Sequence, residues 1–124
     1  MIDHVSIGVR DFPSARVFYD AVFAALGAKA HDSGADYAGY GRDVPVYWVQ
    51  VTPSPVPPDM GSGLHFCFHA ETRAQVEAFY KAALAHGGTD NGPPGLRPNY
   101  GPDYYAAFAI DPDGYRIEAH THAG

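Results

Sequence analysis

The chain is poor in cysteine and in positive charge, and it lacks a long apolar run. Cys67 is the single cysteine among 124 residues. One thiol excludes an intramolecular disulfide and any zinc site built on paired CxxC motifs. Lys and Arg total 8 against 14 Asp and Glu, for a formal net charge of −6. Nucleic acid and anionic membrane both want a basic patch, so neither is expected as the main partner. No run approaches the roughly 18 apolar residues that span a bilayer, and no basic start with an apolar stretch marks a secretory leader. Apolar residues make up 46% and charged residues 18%, the balance of a folded soluble chain. These exclusions predict a cytoplasmic protein whose partner is a metal cation or a neutral or polar small molecule. What the sequence does hold is 7 His, 9 Tyr, 14 Gly and 11 Pro.

Residues 4–9, HVSIGV, alternate: Val5, Ile7 and Val9 face one way, His4, Ser6 and Gly8 the other. This predicts a strand. DFPSARVFYDAVFAALG predicts a helix, with Pro13 in its first turn, a stripe of Ala15, Phe18, Val22, Ala25 and Leu26, and Gly27 as its stop. Strands are expected near Ala28 to Asp32, in DYAGYG and in VPVYWVQVT. The Pro-rich PSPVPPDMGSG breaks the pattern, which then restarts. GLHFCFHA alternates, with Phe66 and Phe68 opposite His65, Cys67 and His69. ETRAQVEAFYKAALAHGG predicts a second helix opened by a Thr72–Gln75 capping box. A polar, Gly/Pro-rich segment runs from Asn91 to Pro102, and YYAAFAI and YRIEAH close the chain as two strands joined by the turn DPDG.

A shift of 61 residues lays the first half on the second: His4 on His65, Phe18 on Phe79, Tyr19 on Tyr80 and Gly27 on Gly88. The reading is α+β, a single domain over residues 1–124 made of two tandem βαβββ modules. Module one covers about residues 1–53, a Pro-rich linker about 53–62 and module two about 63–124.

In the last strand Arg116, Glu118 and His120 share one face. In the last strand of module one Gln50 shares a face with Val46 and Trp48. Symmetric pairing of the modules would converge His4, Gln50, His65 and Glu118 across a trough. Two imidazoles and one carboxylate, with open positions opposite, suit Zn, Ni, Mn, Co or Fe. Such an ion acts as a Lewis acid or lowers the pKa of a bound water. It would also compensate a strand-borne Glu118, since a lone buried carboxylate is costly. The competing reading leaves each residue a satisfied polar group, with Glu118 paired to a neighbour.

The stretches MIDHVSIGVRDFPSARVFYDAVFAALG, GLHFCF and DPDGYRIEA resemble the vicinal oxygen chelate superfamily, the glyoxalase, bleomycin-resistance and dioxygenase group. The resemblance implies two βαβββ modules forming a glyoxalase-like incomplete barrel, assembled as a homodimer. It implies metal ligands at His4, His65 and Glu118. Gln50 stands where glyoxalase I has a carboxylate that helps move the substrate proton, so Glu118 and Gln50 are the catalytic candidates. The activity implied is that of a metal-dependent, lyase- or isomerase-like enzyme of the glyoxalase I (lactoylglutathione lyase-like) type, acting on a small oxygen-chelating substrate. An extradiol-type dioxygenase and a metal-free, bleomycin-resistance-like binding protein are the alternatives. GLRPNYGPDYY would lie near the trough mouth, where Arg97, Asn99, Tyr100, Tyr104 and Tyr105 orient a polar substrate. Trp48 lines the pocket, and His120 and His69 stand beside the ligands. The candidate substrate-binding set is Trp48, Arg97, Asn99, Tyr100, Tyr105 and His120.

Overall fold

The structure is a computed structural model that describes residues 1–124, the side chain of Met60 excepted. Alternation and caps produce the elements where the sequence points to them. Strand β1 (Val5–Val9) leads into helix α1 (Phe12–Ala25). The Asp11 carboxylate accepts from the Ser14 amide to cap α1, and Pro13 occupies its first turn, where no amide donor is needed. Strands β2 (Lys29–Ser33), β3 (Tyr37–Gly41) and β4 (Tyr47–Val51) follow. The Pro-rich segment holds one 3₁₀ turn, Met60–Ser62. The unit then repeats as β5 (Phe66–His69), α2 (Arg73–Ala85), β6 (Thr89–Leu96), β7 (Tyr105–Ile110) and β8 (Arg116–Thr121). Thr72 caps α2 by accepting from the Gln75 amide, while the Gln75 side chain reaches back to the Glu71 amide.

Each module is a four-stranded sheet, ordered β1-β4-β3-β2 and β5-β8-β7-β6. The first strand runs parallel to the last, and the other neighbours are antiparallel. Both sheets lean their apolar faces on the helices, and α1 packs on α2. One cluster of buried side chains draws on both modules: Ile7, Val9, Phe18, Val22, Tyr47 and Val49 from the first, Val76, Phe79, Ala107, Ala109, Ile117 and Ala119 from the second. The opposite face of each sheet is left for chemistry, because alternation sends every second side chain there.

Two expectations change. The segment from Asn91 is a strand in its first half, since β6 reaches Leu96. It is an edge strand with register shifts at Gly92 and Gly95, which is where Pro93 and Pro94 are tolerated. Its pairing rests on backbone geometry and carries no side-chain alternation. Second, β1 and β5 begin one residue after His4 and His65, so both histidines stand at the lip of a strand outside its ladder.

The modules are tied by polar contacts as well as by the core. Asp111 opens the DPDG turn, and its Oδ1 accepts from the amides of Asp113 and Tyr115 at 2.9 and 2.8 Å. Its Oδ2 accepts from the Tyr19 hydroxyl of α1 at 2.6 Å, and that hydroxyl also meets the Tyr47 hydroxyl at 3.1 Å. Gly114 closes the turn at φ +98°, a left-handed conformation open to glycine. The Tyr115 hydroxyl donates to the Gly8 carbonyl at 2.7 Å. No helix is long and apolar enough to cross a membrane, among the described residues.

Candidate functional site

Ile117 and Ala119 of β8 point into the core, so parity turns Glu118 to the open face of the module-two sheet. There it is 3% exposed. A buried carboxylate demands donors. Its Oε1 lies 3.0 Å from His65 Nε2, and its Oε2 accepts from the Tyr104 hydroxyl at 2.5 Å. Cys67 of β5 and Phe108 of β7 flank it as register partners on either side. The Phe108 ring also stands 6.5 Å from the His65 ring. Burial and the hydrogen bond to Glu118 raise the Tyr104 phenol well above its ordinary value. Partial burial and the Glu118 charge push the Cys67 thiol up to about 12. It is therefore protonated at neutral pH and a poor nucleophile.

The Tyr104 ring stacks on His120 at 4.4 Å with an interplanar angle of 16°, and Tyr100 meets it edge-on at 5.4 Å. His120 Nδ1 is buried with no hydrogen-bond partner, and burial lowers its pKa. Arg97 folds its guanidinium over the Phe108 ring, 5.3 Å from the centroid. Asn99 is exposed in the loop between β6 and β7. Tyr105 does not join this face. Its hydroxyl donates to Glu77 of α2 at 2.7 Å and Arg73 covers its ring, so it belongs to the helix side. Tyr104 takes the place that Tyr105 was expected to fill. The parity of β7 carries the signal: Ala107 and Ala109 are core, so Tyr105 shares their side, while Tyr104 and Phe108 share the other.

The open face of module one is different. Tyr47 and Val49 point into the core, leaving Trp48 and Gln50 on the open face with Ser6 and Gly8. The register decides which of them matches Glu118. Cys67 pairs with Glu118 across the parallel strands, and Ser6, its counterpart at the 61-residue shift, pairs with Trp48. Gln50 pairs with Gly8, one same-face step further on, and is exposed. The expectation that Gln50 mirrors Glu118 is therefore corrected: Trp48 does. Its ring lies over Gly39 so closely that a Cβ there would stand 2.6 Å from it.

His4 is half exposed, and its Nδ1 pairs with Asp3 at 2.7 Å. It lines a cleft of about 390 Å³ with His65, Val46, Tyr47, Phe66 and Phe68. The expected convergence of four residues thus resolves into a touching pair, His65–Glu118, with His4 in the same cleft as His65. Gln50 stands apart. No group of three or more His, Cys, Asp and Glu is set to hold a metal, among the described residues.

The His65–Glu118 contact is a hydrogen bond as it stands, and its spacing is also compatible with two ligands of one ion. Two donors each about 2.1 Å from one octahedral ion stand about 3.0 Å apart, which is the observed His65–Glu118 separation. The second carboxylate oxygen is held by Tyr104, the kind of outer support that orients a ligating carboxylate. His65 and Glu118 supply two ligands, one fewer than a catalytic centre usually has.

The Glyoxalase/Bleomycin resistance protein/Dioxygenase superfamily profile matches residues 1–119. No curated protein matches the chain. Among solved structures, a glyoxalase/bleomycin resistance protein from Albidiferax ferrireducens is 31% identical, with 95% of this chain and 96% of that one covered and a TM-score of 0.82. A fosfomycin resistance protein, FosX, from Listeria monocytogenes is 17% identical over 100% of this chain and 93% of that one, with a TM-score of 0.71. A glyoxalase I variant from Zea mays is 21% identical over 96% of this chain and 45% of that one, with a TM-score of 0.70. The last two share the fold.

Proposed function

The chain belongs to the Glyoxalase/Bleomycin resistance protein/Dioxygenase superfamily, and from that premise we propose that it is a divalent-metal-dependent enzyme of the glyoxalase I type. Its substrate is a small molecule with neighbouring oxygens, and its reaction is lyase- or isomerase-like. The observation that carries this reading is the contact between His65 and the buried Glu118, backed by Tyr104. His65 and Glu118 would hold the ion (Zn, Ni, Mn, Co or Fe), with His4, which lines one cleft with His65, as the candidate third ligand. Bound there, the ion supplies Lewis-acid polarisation of a substrate oxygen.

Glu118 is the group placed to take and return a substrate proton. A carboxylate on a rigid strand, shielded from bulk water and hydrogen-bonded on both oxygens, keeps one orientation. Tyr104 fixes Oε2, and Oε1 faces His65. Phe108, the register partner of Glu118 on β7, flanks it on the same face.

The working unit in this reading is a homodimer. Strands β1 and β5 each pair on one side within the chain and carry His4 and His65 at their lips. A cytoplasmic setting suits the free thiol of Cys67 on the same face as Glu118.

A second reading has one observation in its favour. The Trp48 ring laid on Gly39 offers a flat aromatic surface at the place where module two has its carboxylate. That suits a metal-free binding protein for a planar ligand. Metal analysis of protein purified without chelators separates the two. The enzyme reading expects bound divalent metal in the natural protein and loss of most of it in His65→Ala and Glu118→Gln. Equal metal content in all three sinks it.

A further inference from the structure

Arg97 lies against the open face of module two, and the metal reading does not use it. Its guanidinium is held in a built slot. Nη1 donates to the Gly95 carbonyl at 2.9 Å and Nη2 to the Pro93 carbonyl at 2.7 Å, while the plane covers Phe108. Two glycines make the room. A Cβ at Gly92 would stand 3.3 Å from Nη2, and one at Gly95 would stand 3.2 Å from Nη1. Gly92 also has φ +145°, which disfavours any other residue. The two bulges of β6 fall at these glycines, so the strand is deformed where the guanidinium folds back over it.

The charge is left without a counter-charge. Every polar partner of Arg97 is a neutral backbone carbonyl, and no carboxylate lies within ion-pair distance of it, among the described residues. A guanidinium has five donors in a planar fork, and the two carbonyl contacts leave others unspent. Neighbouring acidic side chains are committed elsewhere: Glu118 to His65 and Tyr104, Asp103 to His122, and Asp90 to Tyr80 and the Gly92 amide. Phe108, the register partner of Glu118, carries the guanidinium on its ring and lies beside His65. A positive fork is thus fixed one ring away from the carboxylate–imidazole pair.

We propose that Arg97 is an anion-recognition residue and that the substrate carries a carboxylate, bound by Arg97 while its oxygens address the His65–Glu118 end. This rests on module two's open face being the substrate site. A planar fork matches a carboxylate in two parallel hydrogen bonds, which a lysine at the same place does not reproduce. One guanidinium fork matches one carboxylate.

The test is a titration of the full chain with benzoate and, as its neutral match, benzamide, followed through the amide NMR signals of Gly92, Gly95 and Phe108. Millimolar benzoate is expected to shift these signals saturably, and benzamide is not. Arg97→Met should weaken benzoate binding about tenfold or more, and Arg97→Lys by less. His65→Ala should retain it, so loss of metal binding and loss of the anion site are read separately. No response to benzoate, equal responses to the two probes, or unchanged benzoate binding in Arg97→Met overturns the proposal. Should the Met variant not fold, Arg97→Lys decides instead: weaker binding supports the fork, and unchanged binding overturns it.

Discussion

The two modules share a scaffold and divide the chemistry. Each has one helix on one four-stranded sheet, with the same strand order and the same parallel first–last pair. Yet the buried polar and charged side chains, Asp111, Glu118 and Thr121, all belong to module two, among the described residues. At the position of Glu118, module one has Trp48; at the position of Cys67 it has Ser6. The difference teaches that duplication of a core does not carry duplication of a site. The apolar face must be kept in both copies to build the shared core, while the open face is free to change. Module two keeps an acid, an imidazole and a phenol together there, and module one an aromatic plate.

The scaffold half of that comparison is broken or sharpened by paired truncations. Phe18 and Phe79 are equivalent, and both are 0% exposed. Each change to Ala should cost about 3–5 kcal/mol in urea unfolding. Similar costs support equivalent packing, and a negligible cost at either would break the equivalence.

The next effect separates the modules. Burial raises the Asp111 carboxyl to about 6, opposed by the Tyr19 hydroxyl and the Tyr115 and Asp113 amides. The folded value lies above the ordinary 3.8, so ionising Asp111 weighs against the fold. That penalty is complete well above pH 6 and is relieved as pH falls through 6 toward 4, where the folded chain holds a proton the unfolded chain has lost. Stability from this group should therefore be higher at pH 5 than at pH 7.5, by about 1.4 kcal/mol. Asp111→Asn keeps the acceptor for the turn amides and should flatten that part of the unfolding profile. A profile identical to the natural protein's would contradict the assignment.

An effect of similar size probes the open face of module two alone. Tyr104→Phe removes the donor on Glu118 Oε2 and should lower divalent-metal affinity about tenfold, measured by isothermal titration, with the melting temperature little changed. The smallest effect lies across the comparison. Gln50→Ala should leave metal affinity within about twofold, since Gln50 is exposed and lies one step off the register of Trp48. A tenfold loss there would restore Gln50 as a ligand and undo the asymmetry.

The elements that alternation and capping specify were legible in the sequence: β1, α1, β5, α2 and β8, with Pro13 in the first turn of α1 and Thr72 as the cap of α2. The parity of β8 alone turns Glu118 to the open face. Three things were not legible. Strand β6 has no side-chain period, because Gly and Pro fill an edge whose pairing is all backbone. The true mate of Glu118 was hidden because the offset between modules grows from 61 at the first strands to 70 at the last, as Ser6–Cys67 and Trp48–Glu118 show. A longer β6 and the loop after it supply the extra residues, and no count along the chain reveals where they enter. Tyr104 lay within reach of the parity argument, but its contact with Glu118 depends on how the loop returns to the sheet.

The account's central claim is that the His65–Glu118 pair of module two is the metal-binding end of the site. Its most direct test is an anomalous difference map from crystals grown with a saturating divalent ion. The account predicts one strong peak within bonding distance, about 2.0–2.2 Å, of both His65 Nε2 and Glu118 Oε1. A map with no peak there, or with its peak at Gln50 or among His69, His120 and His122, would contradict it.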